Sequence, residues 1–326
     1  MQIKYLLIAG LFTISACKCK HTQTTGTEQE KPVYVYQFEK TAPLTADNTK
    51  KLISDFLGEQ KTTDLTVSAD ENIAYFVSAE DVNTTLEQDL NNGNFAFSKL
   101  NKAYLGDLKP QLPSENDAVK ISEDYLRGKG LFPKNGNELV LVHKGGVRAQ
   151  AVGGPVIDKM ITLTYGRVVD SMQVIGAGSK IIVNIGDKGE VVGVTRRWRE
   201  LNTGEKRTVK QEETISREEA EAQAKRQILQ EFGQQATYEV KSVMKSYYDN
   251  NGSYLQPVYA FETVINLNSR EKGIQPIRYL CVIPMLKESP EPLSLTKLDP
   301  KAKERLKAID QQSIDTTDVR DRKTRD

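Results

Sequence analysis

His21 and His143 are the only histidines in this 326-residue chain, so acid–base and zinc chemistry at neutral pH have little to build on. The zinc-peptidase pattern His-Glu-x-x-His is absent, and a Ser-His-Asp centre would have to use His143. His143 follows Val140-Leu141-Val142 and precedes Lys144-Gly145-Gly146, which reads as the end of a strand at a turn. The adjacent carboxylates Glu218 and Glu219 fall in the first turn of an expected helix, where the helix dipole favours negative charge without any catalytic role. Gly176-Ala177-Gly178-Ser179-Lys180 clusters glycines as anion-binding loops do. A dinucleotide loop, however, needs a third glycine where Ile181 stands and a helix after it, whereas a strand follows here. A glycine bend in an antiparallel sheet is the expectation. No catalytic residue, metal ligand or cofactor is predicted.

Binding chemistry is better represented. Arg196-Arg197-Trp198-Arg199 is a basic patch with one aromatic, suited to lipid headgroups, acidic glycans or a peptide carboxylate. Strand alternation places Arg196 and Trp198 on one face, with Trp198 packed on the sheet, and leaves Arg197 and Arg199 on the other as candidate partner-binding residues. Tyr247, Tyr248 and Tyr254, with Tyr259, flank a hairpin turn and could form a peptide- or glycan-binding surface, though cross-strand aromatic pairing explains them equally well. An exposed strand edge could also take an extended peptide through main-chain hydrogen bonds, with no motif to betray it.

The elements that must position these residues follow from periodicity and caps. Thr45 or Asp47 starts a helix with Leu52, Ile53, Phe56 and Leu57 on one face, and Asn91-Asn92-Gly93 marks a hairpin turn. Ser114, with Asp117 three residues on, caps a second helix bearing Ala118, Ile121, Tyr125 and Leu126. Strands follow at 138–143, 147–152, 160–169, 172–174, 180–185 and 191–198, with Gly186-Asp187-Lys188-Gly189 turning the last pair. Ser216-Arg217-Glu218-Glu219 is a capping box opening a third helix, with Ala220, Ala224, Ile228 and Phe232 on one face, ahead of strands at 238–248, 256–267 and 277–285. The expected fold is α+β, in tandem units that each pack one helix on a small antiparallel sheet. The segments predicted are 1–16, 17–32 as a polar spacer, units over 33–110, 111–211 and 212–287, and a Pro-rich, charged and largely disordered tail over 288–326.

Composition narrows the function. With 38% hydrophobic and 27% charged residues the chain is an ordinary globular sequence, and a net charge of +1 lacks the basic excess that nucleic-acid binding draws on. Three cysteines are too few for a disulfide framework. Cys281 reads as a small buried hydrophobe in a strand, with a Cys19–Cys281 bridge as the alternative.

The N-terminus, Lys4, then an apolar run, then Ile14-Ser15-Ala16-Cys17, resembles the lipobox of bacterial lipoproteins. That resemblance implies cleavage before Cys17, an acyl anchor on its sulfur, and a tethered body in the cell envelope. Lys18, rather than the aspartate that retains enterobacterial lipoproteins at the inner membrane, favours the outer membrane within that resemblance. The stretch from Tyr165-Gly166-Arg167-Val168-Val169 through Gly176, Ser179-Lys180-Ile181 and Gly189-Glu190-Val191-Val192-Gly193 to Arg197-Trp198-Arg199 resembles the PepSY superfamily and the related propeptide domains of thermolysin-like proteases. The likeness covers about 114–286, and departs from the usual Gly and Pro pattern at Asp170-Ser171-Met172-Gln173. It implies a secreted, non-catalytic module whose relatives restrain proteases or bind partners outside the cytoplasm. The expected partners are the membrane, through lipid, and an envelope protein or protease. A purely structural lipoprotein and a hydrolase using His143 are the alternatives.

Overall fold

A computed structural model describes residues 32–58, 65–68, 71–99, 104, 109–150, 154–234, 236–266 and 275–293. The expected signal peptide, Cys17, Cys19, His21, nearly all of the spacer and most of the tail lie outside the described residues. In chain order the elements begin with β1 (Val33–Phe38), α1 (Ala46–Leu57), β2 (Leu65–Ser68), β3 (Ile73–Val77), β4 (Thr84–Asp89), β5 (Phe95–Lys99) and α2 (Glu115–Gly128). Then come β6 (Leu139–Gln150), β7 (Val156–Val169), β8 (Met172–Gly176), β9 (Lys180–Ile185), β10 (Val191–Arg197) and β11 (Leu201–Val209). The third helix α3 (Arg217–Phe232) precedes β12 (Thr237–Asp249), β13 (Tyr254–Asn266) and β14 (Ile277–Pro284).

The described residues cluster into two compact units. One takes in 39–168 and 179–200; the other takes in 32–38, 169–178 and 201 onward. In the first, eight strands run antiparallel in the order β6-β7-β9-β10-β5-β4-β3-β2. Two helices contribute to its core, with Ile53 from α1 and Ala118 and Leu126 from α2 packing with Phe76, Leu86 and Ile181. The predicted caps explain where those helices start. Thr45 and Asn48 form a capping box on α1, and the Ser114 hydroxyl accepts from the Asp117 N–H at 3.2 Å on α2.

In the second unit the order is β11-β1-β13-β12-β8, with β14 also on β13, and β8 runs parallel to β12. Helix α3 covers one face through Ala220, Ala224, Ile228 and Phe232, which meet Phe261, Ile265 and Cys281. The small antiparallel sheets with one helix each, expected from the sequence, are therefore corrected: the described residues form fourteen strands of mixed β-structure with three α-helices. Caps and periodicity are local, whereas strand partners are chosen by contacts far apart in the chain. β1, for instance, pairs with β11 and β13.

Two smaller corrections follow the same logic. Gly145-Gly146 does not end a strand, and β6 runs through it, because a Cβ on Gly146 would lie 2.1 Å from the Met160 carbonyl oxygen. β11 has no apolar alternation and was not predicted; it is an exposed strand held by the backbone of β1.

Candidate functional site

In the second unit a groove of about 370 Å³ lies between α3 and β12. The Ser216 hydroxyl accepts from the Glu219 N–H at 3.1 Å while the Glu219 carboxylate accepts from the Ser216 N–H at 2.7 Å, so α3 has a fixed start. Its inner face is narrow at Ala220 and Ala224, and a larger side chain at Ala224 would occupy the groove it now lines. The floor is apolar, with Ile228 and Phe261 fully buried.

The opposite wall depends on an irregularity in β12. Tyr238, Val240 and Val243 stand opposite Ile265, Thr263 and Phe261, and the register shifts between Val240 and Ser242. That bulge inserts one residue, so Val240 and Val243, three apart, face α3 together when simple alternation would separate them. Val240 is 41% exposed at the rim. Arg217, Lys225 and Lys241 also line the groove, where Arg217 meets Glu221 at 3.0 Å and Lys241 meets Glu239 at 2.5 Å. Chemically the groove offers an apolar floor, basic side chains at its walls and a strand alongside.

The residues singled out from the sequence are distributed differently. Arg197 is exposed at the end of β10, and Arg199 is half-buried, its carbonyl accepting from Arg167 Nη2 at 2.7 Å. Both lie in the first unit, whereas Tyr247, Tyr248 and Tyr254 lie in the second. Tyr247 is fully buried among Tyr36, Val174 and Leu255, Tyr248 packs with Val258 and Val282, and Tyr254 is half-buried beside Gln37 of β1. His143 is half-buried within β6, opposite Thr164. Trp198 is buried as expected, and Cys281 is a buried free thiol whose burial raises its pKa from 9.0 to about 12.

The glycine cluster has a structural explanation in the second unit. The carbonyl of Asp249 accepts from the Gly178 N–H at 3.0 Å, and a Cβ on Gly178 would lie 2.3 Å from the Asp249 carboxylate. A buried carboxylate thus fills the place that an anion would need. The bend sits where β8 meets β12 in parallel, not in the antiparallel sheet expected.

Three polar arrangements escaped sequence reading. In the first unit the fully buried Arg167 sets its Nε 3.0 Å from Glu138 Oε2 and donates to the Ser179 hydroxyl at 3.2 Å. Its guanidinium also lies 3.9 Å from the Trp198 ring centroid. In the second unit the exposed Asp170 carboxylate accepts from the Tyr36 hydroxyl at 2.6 Å and from the Tyr247 hydroxyl at 3.0 Å, while Tyr247 accepts from the Tyr34 N–H at 3.2 Å. Burial first, then the nearby carboxylate, pushes both phenols well above their usual range. Asp170 and Ser171 adopt φ of 50° and 67°, the left-handed pair of a two-residue hairpin turn, in place of the usual Gly and Pro.

The third lies in the segment expected to begin the disordered tail. The Glu291 carboxylate accepts from the N–H groups of Ser253 and Tyr254 at 2.9 and 3.1 Å, and Leu293 packs near Tyr248 and Val258. For the groove, the available signal was the alanine face of α3 together with two valines spaced three apart in a strand. For the polar nodes no local signal exists, because their members are far apart in sequence.

No protein-family model and no curated protein matches the chain. Among solved structures, the chain is similar to an uncharacterized protein from Eubacterium rectale, at 9% identity over 81% of this chain and 86% of that one, with a TM-score of 0.41. It is also similar to the Bacillus megaterium YpeB C-terminal domain, at 14% identity over 74% of this chain and 99% of that one, with a TM-score of 0.33.

Proposed function

We propose that this protein is a non-catalytic, protein-binding lipoprotein of the cell envelope, anchored through Cys17 and engaging an envelope protein or protease through the α3–β12 groove. The observation that carries the reading is the groove itself. An apolar floor walled by Arg217, Lys225 and Lys241 suits recognition of a polypeptide. Tethering adds effective concentration, which benefits a binder at the envelope without any new contact.

A photoreactive side chain placed at Val240 in growing cells tests this reading. It should give a discrete adduct with one envelope protein, and the same group at the exposed Val67 of β2 should give none. Cys17→Ser should abolish acyl labelling and move the protein out of the membrane fraction. If no adduct forms at Val240, the groove is not the binding surface.

A further inference from the structure

We infer that the groove takes an extended acidic peptide segment, added as a strand to the outer edge of β12 over residues 237–246. This rests on the groove being the binding surface and specifies its ligand. β12 pairs with β13 from Thr237 to Tyr248, but with β8 only from Tyr247 to Asp249. Among the described residues no strand lies against the outer edge over 237–246. Alternate N–H and C=O groups of that edge point outward and are met by solvent or by an incoming backbone.

The bulge turns Tyr238, Val240 and Val243 toward α3, so a strand laid here would set alternate side chains over an apolar floor. Charge selects the ligand. Arg217 is paired with Glu221 and Lys241 with Glu239, which leaves Lys225 as the wall cation that makes no ion pair among the described residues. A peptide with carboxylates flanking its apolar positions complements those walls. Nothing in the charge of the edge selects a second copy, since Lys241 is already paired with Glu239, and a bulge is one way sheets resist joining their own kind.

The test uses the full chain and a labelled nine-residue peptide alternating valine and threonine with a glutamate at each end, which spans roughly 30 Å when extended. Fluorescence anisotropy should show saturable binding, and the lysine-ended counterpart should bind at least about tenfold more weakly. Methylating alternate backbone nitrogens along one edge of the peptide should weaken binding about tenfold, and methylating the other set should change it less than about twofold. Lys225→Glu, an exposed change, should reverse the preference between the two peptides.

Binding that ignores methylation of either set overturns strand addition while leaving the groove as a binding surface. Equal affinity for both peptides overturns the acidic preference. If neither peptide binds, the inference fails, and the Val240 adduct decides the groove reading separately. A dimer in light scattering that cannot bind the acidic peptide, while the monomer can, assigns the edge to a second copy and also overturns the proposal.

Discussion

One polar node in each unit is built around a charged side chain, Arg167 in the first and Asp170 in the second, and the two are handled in opposite ways. Arg167 in the first unit is sealed from solvent, with a carboxylate, a hydroxyl, a carbonyl and an indole face around its guanidinium. Asp170 in the second unit stays at the surface and borrows two hydroxyls from buried tyrosines. A planar fork with five donors can satisfy several acceptors from inside a core, whereas a carboxylate needs only to accept and can do so from the edge. The buried charge is thus committed to its partners, and the exposed one keeps water as an alternative.

The largest expected effect follows from that commitment. Arg167→Ala leaves Glu138 beside an emptied space and should cost about 3–5 kcal/mol in urea unfolding. A loss below about 1 kcal/mol would mean that neither the ion pair with Glu138 nor the stacking on Trp198 contributes to stability. Next, Gly178→Ala should cost about 1–3 kcal/mol, since its methyl would overlap the Asp249 carboxylate. A neutral outcome would show that the β8 bend in the second unit yields where the Arg167 node does not.

Asp170→Asn keeps a side-chain acceptor and a residue tolerant of left-handed φ, so about 1 kcal/mol is expected from the same denaturation curves. A cost equal to that of Arg167→Ala would erase the distinction between the nodes. The smallest effect is a change of slope with pH. The Cys281 thiol ionises near 9.0 when unfolded but near 12 when folded, so the native state holds the extra proton between those values and loses stability as pH rises through that window. Tyr36, Tyr247 and Tyr279 of the second unit, all raised chiefly by burial, act in the same direction. Cys281→Ala should shallow the decline by about one proton, and an unchanged slope would place the alkaline sensitivity elsewhere.

Features encoded by neighbours in sequence were legible. The Ser216 capping box, the α3 face, and Ile181, Val183 and Ile185 on the buried side of β9 are all present. The turns at Gly93 and across 186–189 join β4 to β5 and β9 to β10. Illegible features depended on distant partners. Arg167 looked like one residue in an apolar strand until Glu138 and Trp198 met it, and Tyr247 looked like a candidate surface residue until Asp170 and β1 covered it. The groove needed a bulge, and a bulge is fixed by the register of two strands.

The pairing of β1 also sets an order in time. Tyr34 and the Tyr247 hydroxyl that takes its N–H are 213 residues apart. At ribosomal rates of roughly 5–20 residues per second, β1 is made about 10–40 s before that partner exists. Until β11 is made, a run of three tyrosine and valine side chains, Tyr34, Val35 and Tyr36, has no partner strand of its own unit to join, while most of the first unit has already been synthesised. The second unit therefore completes late, and its first strand spends that interval as the segment most open to mispairing.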